Sequence, residues 1–279
     1  MVKKIYGMIQ FIITIIYAWL LNVAFCKDKK RGRIDLKKFM GKKINYIVDT
    51  YYVNKMNLTG KIEKTKDNKI DILLSNHNST IDFLILASIV YKFEIPNFYY
   101  IFKDSISKIP VIGAVLEDDI KLKRNWNEDK DSIVEQLNNI ESGIIIIYPE
   151  GTRYCKKKHI ESRKFCKNNK LPIFNYTLAP RVKGSHLVIN SLKQMNRLGN
   201  VYDVTLAFDN FIKQELYLSR IFKLSDLGPL TVNIKKIHFN DNNLPYENFK
   251  EKMFKMWLVK NNLIDTIYRK NYRNKFFKY

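Results

Sequence analysis

Four consecutive isoleucines, Ile144 to Ile147, stand between Gly143 and the sequence Tyr148-Pro149-Glu150-Gly151-Thr152-Arg153. A β-branched run without alternation is apolar on both faces, so as a strand it must be covered on both sides. The usual solution is the centre of a parallel sheet with helices above and below. Ile70-Asp71-Ile72-Leu73-Leu74 reads as a second buried strand, and Phe83 to Val90 as the buried helix that follows it. Asn97 to Lys103 reads as an aromatic strand, followed by a turn at Ile109-Pro110-Val111-Ile112-Gly113. In Asp119 to Arg124, Ile120 and Leu122 alternate with Lys121 and Lys123, the pattern of a solvated edge strand. The expected fold class is α/β, a central and mostly parallel sheet flanked by helices, preceded by an N-terminal membrane helix.

Open α/β sheets bind ligands beyond the carboxyl ends of their strands. Two stretches fall there. In Ser75-Asn76-His77-Asn78-Ser79-Thr80-Ile81-Asp82, Ser79 suits a helix N-cap, with Asp82 at the third helical position. His77 then lies just outside the helix N-terminus, where the dipole disfavours an imidazolium and Asp82 can hold one ring nitrogen. That is a general base with its orienter, although a capping Asp beside an ordinary loop histidine fits the same residues. In the second stretch, Arg153 offers a planar fork for a phosphate and Gly151 allows close backbone approach. Arg124 ends its strand nearby in the order of the chain.

The formal charge of +22 and pI of about 9.7 imply an anionic partner: nucleic acid, a membrane surface or phosphorylated substrates. Residues 5–26 hold 22 residues without a charge, enough to cross a hydrocarbon core of about 30 Å. Five basic residues in 27–33, against Lys3 and Lys4 on the other side, orient the body toward the cytosol. A helix lying in the membrane plane is the alternative, with Gln10 and Asn22 as its polar interruptions. This divides the chain into an anchor (1–33), a catalytic domain (34–210) and a C-terminal region (211–279) with a strand and an amphipathic helix. The basic and aromatic tail from Tyr268 to Tyr279 suits a bilayer surface. No RNA-binding signature is present, so no nucleic-acid partner is expected. Cys26, Cys155 and Cys166 fit neither a disulfide framework nor a zinc site, and His159, His186 and His238 are scattered. No metal is expected.

Taken in order, these pieces resemble the glycerolipid acyltransferase family. His77 to Asp82 is similar to its His-x4-Asp motif, and Tyr148 to Arg153 to its Phe-Pro-Glu-Gly-Thr-Arg motif, with Tyr148 replacing Phe. Lys123-Arg124 falls where the second motif carries its Arg, and Leu171-Pro172-Ile173 where the fourth carries Pro. Tyr176 to Gly184 and Val201 to Thr205 look most like eukaryotic lysophosphatidic acid acyltransferases and their lysocardiolipin acyltransferase relatives. The likeness covers roughly residues 70–210. It departs at Ile120 to Lys123, which is more basic than the family pattern. The resemblance implies acyl transfer from acyl-CoA, a co-substrate and the only cofactor-like molecule needed, to the hydroxyl of a lysophospholipid. Lysophosphatidic acid is the first candidate acceptor; lysocardiolipin or lysophosphatidylinositol remodelling is the alternative. It further implies His77 as base and Asp82 as orienter, with Arg153 and Arg124 on the acceptor phosphate. Glu150 would fix the arginine or a glycerol oxygen. Gly151, Thr152 and Pro172 complete the substrate-binding set, and backbone N–H groups of Asn78 to Thr80 are expected to stabilise the oxyanion. No covalent intermediate through Cys155 is required. The expected location is the endoplasmic reticulum membrane, with the body in the cytosol, or a mitochondrial membrane.

Overall fold

The computed structural model describes residues 2–24, 39–53, 55–95, 97–108, 116–209, 215–217, 220–221, 228–239 and 244–276. Seven strands form one sheet: β1 (Met56–Thr59), β2 (Ile70–Ser75), β3 (Phe98–Lys103), β4 (Ile120–Leu122), β5 (Gly143–Ile147), β6 (Leu198–Phe208) and β7 (Leu230–Ile237). Their order across the sheet is β1-β7-β6-β2-β5-β3-β4. β6 and β7 run antiparallel, and the other neighbouring pairs run parallel.

The isoleucine run explains why the sheet needs two cores. Ile144 and Ile146 enter a cluster with Leu84, Ile85 and Ile89 of α2 (Asp82–Lys92) and with Ile44 and Val48 of the helical stretch before β1. Ile145 and Ile147 point the opposite way. There they meet α3 (Trp126–Asn138), α4 (Lys156–Asn168), α5 (Val182–Gln194) and α6 (Tyr246–Phe276), through Ile133, Cys166, Ile189 and Trp257 respectively. Alternate side chains of one strand thus fill opposite layers. At Gly143, φ is +136° and an added Cβ would stand 2.5 Å from the Asn97 carbonyl oxygen, so only glycine lets β5 enter this closely beside β3. β4 is the sheet's edge, and its Lys121 is half-buried while Ile120 is fully covered.

The C-terminal region is part of the same body. β7 pairs with both β1 and β6, and α6 packs on β6 and α5. Lys260 of α6 is fully buried, with Nζ 2.6 Å from Asp203 Oδ1 and donating to the Val204 carbonyl, which ties the long helix to β6.

The expectation of a membrane-crossing helix is not met. The uncharged run forms α1 (Val2–Ala24), but no helix among the described residues is long and apolar enough to cross a membrane. Instead α1 packs along the body. A Cβ at Gly7 would stand 2.7 Å from Tyr51 Cβ, Thr14 is buried, and the Phe11 ring lies 6.0 Å from that of Phe83. Positions 7, 11 and 14 follow helical spacing, so one side of α1 is committed to tertiary contact. The other leaves Ile5, Ile9, Ile12, Ile13, Ile16 and Leu20 exposed. The basic run at 27–33 and the turn at 109–113 lie outside the described residues, as do 277–279 of the tail; residues up to Phe276 continue α6.

Candidate active site

The sheet register brings the two singled-out stretches side by side. Leu74 of β2 pairs with Ile147 of β5, so His77 and Glu150 each follow three residues beyond paired positions. The His77 N–H faces Glu150 Oε1 at 3.4 Å, and the Tyr154 N–H donates to the His77 carbonyl at 2.7 Å. Asn76 secures the other flank. Its buried side-chain amide donates to Leu206 O (2.8 Å) and accepts from Leu206 N (2.9 Å), which extends the β6 pairing one residue into the loop.

His77 Nδ1 lies 3.0 Å from Asp82 Oδ2. The same carboxylate oxygen accepts the N–H groups of Asn78 (2.7 Å) and Ser79 (2.8 Å). Asp82 stands first in α2, not third, and the N-cap position belongs to Ile81. Ser79 Oγ accepts from Ile81 N across the preceding turn. The carboxylate is therefore turned back over the loop, where an anion at the helix's positive end is favoured. Its side chain is 1% exposed while that of His77 is 23% exposed, so the dyad is sealed at the carboxylate and open at the ring. The Tyr148 ring stacks on the imidazole, with centroids 4.3 Å apart. A ring held by Nδ1 and supported from one face can accept a proton at Nε2.

His77 opens into a cavity of about 1210 Å³, which also receives Thr80, Arg124, Glu150, Gly151, Thr152 and Arg153. Arg153 donates through one terminal nitrogen to Thr80 Oγ1, while its buried Nε has no partner among the described residues. Arg124, in the left-handed region at φ +67°, turns the chain out of β4 and lines the same cavity. Phe11 and Ile15 of α1 form part of the apolar wall with Phe83 and Phe98.

Three expectations are corrected by this geometry. The N–H groups of Asn78 and Ser79 are taken by Asp82 and that of Thr80 by the Leu216 carbonyl (2.9 Å), so these donors are not free for an oxyanion. Glu150 does not hold Arg153: its 1% exposed carboxyl accepts from the backbone of His77 and Leu178. Pro172 is exposed and does not itself line the cavity, whereas its neighbour Leu171 does, with Leu178, Ala179 and Pro180. Cys155 does not line it either. Asn76 and Leu216 went unrecognised in the sequence. An amide straight after a buried strand was a readable signal for Asn76; Leu216 is brought in by tertiary structure alone.

The description "Acyltransferase" belongs to the family model that matches residues 56–206. The chain belongs to this acyltransferase family. The "Probable 1-acyl-sn-glycerol-3-phosphate acyltransferase 5" of Arabidopsis thaliana is 29% identical over 196 residues, 67% of this chain and 49% of that protein. Human "1-acyl-sn-glycerol-3-phosphate acyltransferase gamma" is 32% identical over 144 residues, 49% of this chain and 38% of that protein. "Lysophosphatidylinositol acyltransferase 10" of Caenorhabditis elegans is 24% identical over 207 residues, 71% of this chain and 52% of that protein. The chain spans about half the length of the curated relatives it matches, or less. The crystal structure of the 1-acyl-sn-glycerophosphate acyltransferase PlsC from Thermotoga maritima aligns with a TM-score of 0.52 at 15% identity. It covers 93% of this chain and 97% of that one, and shares the fold.

In this family member, burial pushes Glu150 up to about 8 from the ordinary 4.5, against the lowering effect of the Leu178 and His77 N–H groups. A carboxyl that keeps its proton in the fold but loses it in the unfolded chain stabilises most below 4.5, and that contribution is lost as pH rises through 8. From about pH 5 to about pH 8.5 the wild type should therefore lose melting temperature relative to Glu150→Gln, which cannot ionise. Parallel melting profiles for the two proteins would contradict this.

Proposed function

We propose that this chain transfers a fatty acyl group from an acyl-CoA thioester to the free hydroxyl of a lysophospholipid, with lysophosphatidic acid the first candidate acceptor. The observation that carries the reading is the His77–Asp82 dyad opening into an apolar-walled cavity that also holds Arg153. A lipid alcohol is a weak nucleophile at neutral pH. In this reading His77 Nε2 takes its proton as the oxygen attacks the thioester carbon, and Asp82 stabilises the imidazolium that results. The hydroxyl oxygen bonds to the acyl carbon, the carbon–sulfur bond breaks, and the CoA thiolate leaves with the proton that His77 returns. Arg153, whose Nε is unmet, holds the acceptor phosphate near the base, with Arg124 as the second cation on the same cavity.

α1 supports a place in the membrane plane. Phe11 and Ile15 line the cavity while the opposite side exposes a row of isoleucines, Ile13 at 52%. A helix bedded in the lipid surface would open the cavity toward acyl chains, and the basic chain would favour an anionic, cytosol-facing leaflet of the endoplasmic reticulum or mitochondria. Sequence similarity to a protein named lysophosphatidylinositol acyltransferase keeps that acceptor in view.

Release of free CoA from an acyl-CoA in the presence of lysophosphatidic acid tests the chemistry. His77→Ala should lose about a thousandfold in turnover, the scale of a missing general base. Equal rates in the two proteins would remove the mechanism; faster turnover with lysophosphatidylinositol would change the acceptor only. Membrane attachment is tested by flotation with phosphatidylcholine–phosphatidylserine vesicles. The triple variant Ile9→Asp, Ile13→Asp, Ile16→Asp should stay with the soluble fraction at an unchanged far-ultraviolet spectrum, and flotation equal to wild type would exclude α1 as the lipid contact.

A further inference from the structure

The start of α5 lacks the features that normally finish a helix. Its N-cap residue, Arg181, makes no side-chain hydrogen bond to the first turn, and that turn contains no acidic residue. Arg181 spends its own N–H on the Pro149 carbonyl at 2.6 Å, which fastens the helix start to the turn beside His77. The N–H groups at the beginning of an α-helix have no intrahelical acceptors and carry the positive end of its dipole. The residues of this helix start, Arg181, Val182, Lys183, Gly184 and Ser185, all line the cavity.

A second observation at this place points to a ligand. Ser185, one of the residues that line the cavity, is 1% exposed, and its hydroxyl has no hydrogen-bond partner among the described residues. A buried hydroxyl left unpaired opposes folding, so its persistence calls for a partner that binds there. The surroundings suit an anion. Arg181 and Lys183 flank the turn, and a Cβ placed on Gly184 would meet nothing within 4 Å, so there is room against the backbone.

We propose that the N-terminus of α5 is a second anion site of this cavity, one that takes the phosphate groups of the CoA moiety of the donor. This rests on the acyl-CoA reading above. The acceptor carries its phosphate close to the hydroxyl that must reach His77, and Arg153, tied to Thr80, already serves that position. The donor's phosphates sit at the far end of a long pantetheine arm, so they need a site of their own.

Equilibrium titration of the full chain in detergent micelles tests this without turnover, with coenzyme A, pantetheine and sn-glycerol 3-phosphate as probes. Gly184→Glu fills open space and places a carboxylate where the helix dipole favours one, so its melting temperature should hold or rise. Ser185→Ala removes an unpaired hydroxyl and should likewise fold normally. Coenzyme A should bind at least about tenfold more weakly to Gly184→Glu, through repulsion of like charges, and a few-fold more weakly to Ser185→Ala. Pantetheine and glycerol 3-phosphate should bind as they do to the wild type. Unchanged coenzyme A affinity in both variants, or no coenzyme A binding by the wild type, would overturn the proposal. So would an equal loss for pantetheine. Loss confined to glycerol 3-phosphate would give the site to the acceptor and overturn the donor assignment. Failure of the acyl-transfer reading shows separately, as CoA release indifferent to His77→Ala.

Discussion

One buried carboxylate oxygen sets the geometry around His77. Asp82 Oδ2 gathers the His77 ring and the N–H groups of Asn78 and Ser79 onto a single point within 3.0 Å. An anion at 1% exposure is tolerated only where hydrogen bonds and dipoles replace the water it has lost, and here the loop and the helix start supply both. The interaction works in both directions. The loop supplies the hydrogen bonds the buried carboxylate needs, and the carboxylate keeps the loop in the one conformation that aims His77 at the cavity.

Around that point the fold adds fixings, each from a different element. β6 holds Asn76 through a pair of amide hydrogen bonds, and the turn after β5 supplies Glu150 under the His77 backbone. The residues at Leu216 take the Thr80 N–H. Tyr148 supports the ring by stacking. β2 and β5 run parallel in register, so their loops leave the sheet at the same level, and the dyad and Arg153 can share a cleft although they are far apart in the chain. Lys260 ties α6 to β6 from behind through Asp203 and Val204.

Much of this was legible in the residues. The isoleucine run implied covering layers on both faces, and the structure sends alternate isoleucines into opposite cores. His77 and Asp82 were readable because a strand, a polar loop and a helix follow one another within a few residues, so their meeting is decided locally. Long-range contacts were less accessible. Glu150 looked like a partner for Arg153 by adjacency, but the turn sends its carboxyl down toward the His77 and Leu178 backbones, where burial raises it to about 8. The free donors expected at Asn78 to Thr80 were already engaged, one by a residue more than a hundred positions away. α1 misled for a related reason. Its composition suits lipid all round, and only the fold shows Gly7, Phe11 and Thr14 turned to protein.

The protonation pattern of His77 bears most directly on the role given to Asp82. With ¹⁵N-labelled histidine in the full chain, imidazole nitrogen shifts report which ring nitrogen carries the proton when the ring is neutral. The arrangement described requires the proton on Nδ1, facing the carboxylate, and a bare Nε2 toward the cavity, with that bias lost in Asp82→Asn. A wild-type ring protonated on Nε2, or one indifferent to Asp82→Asn, would contradict it.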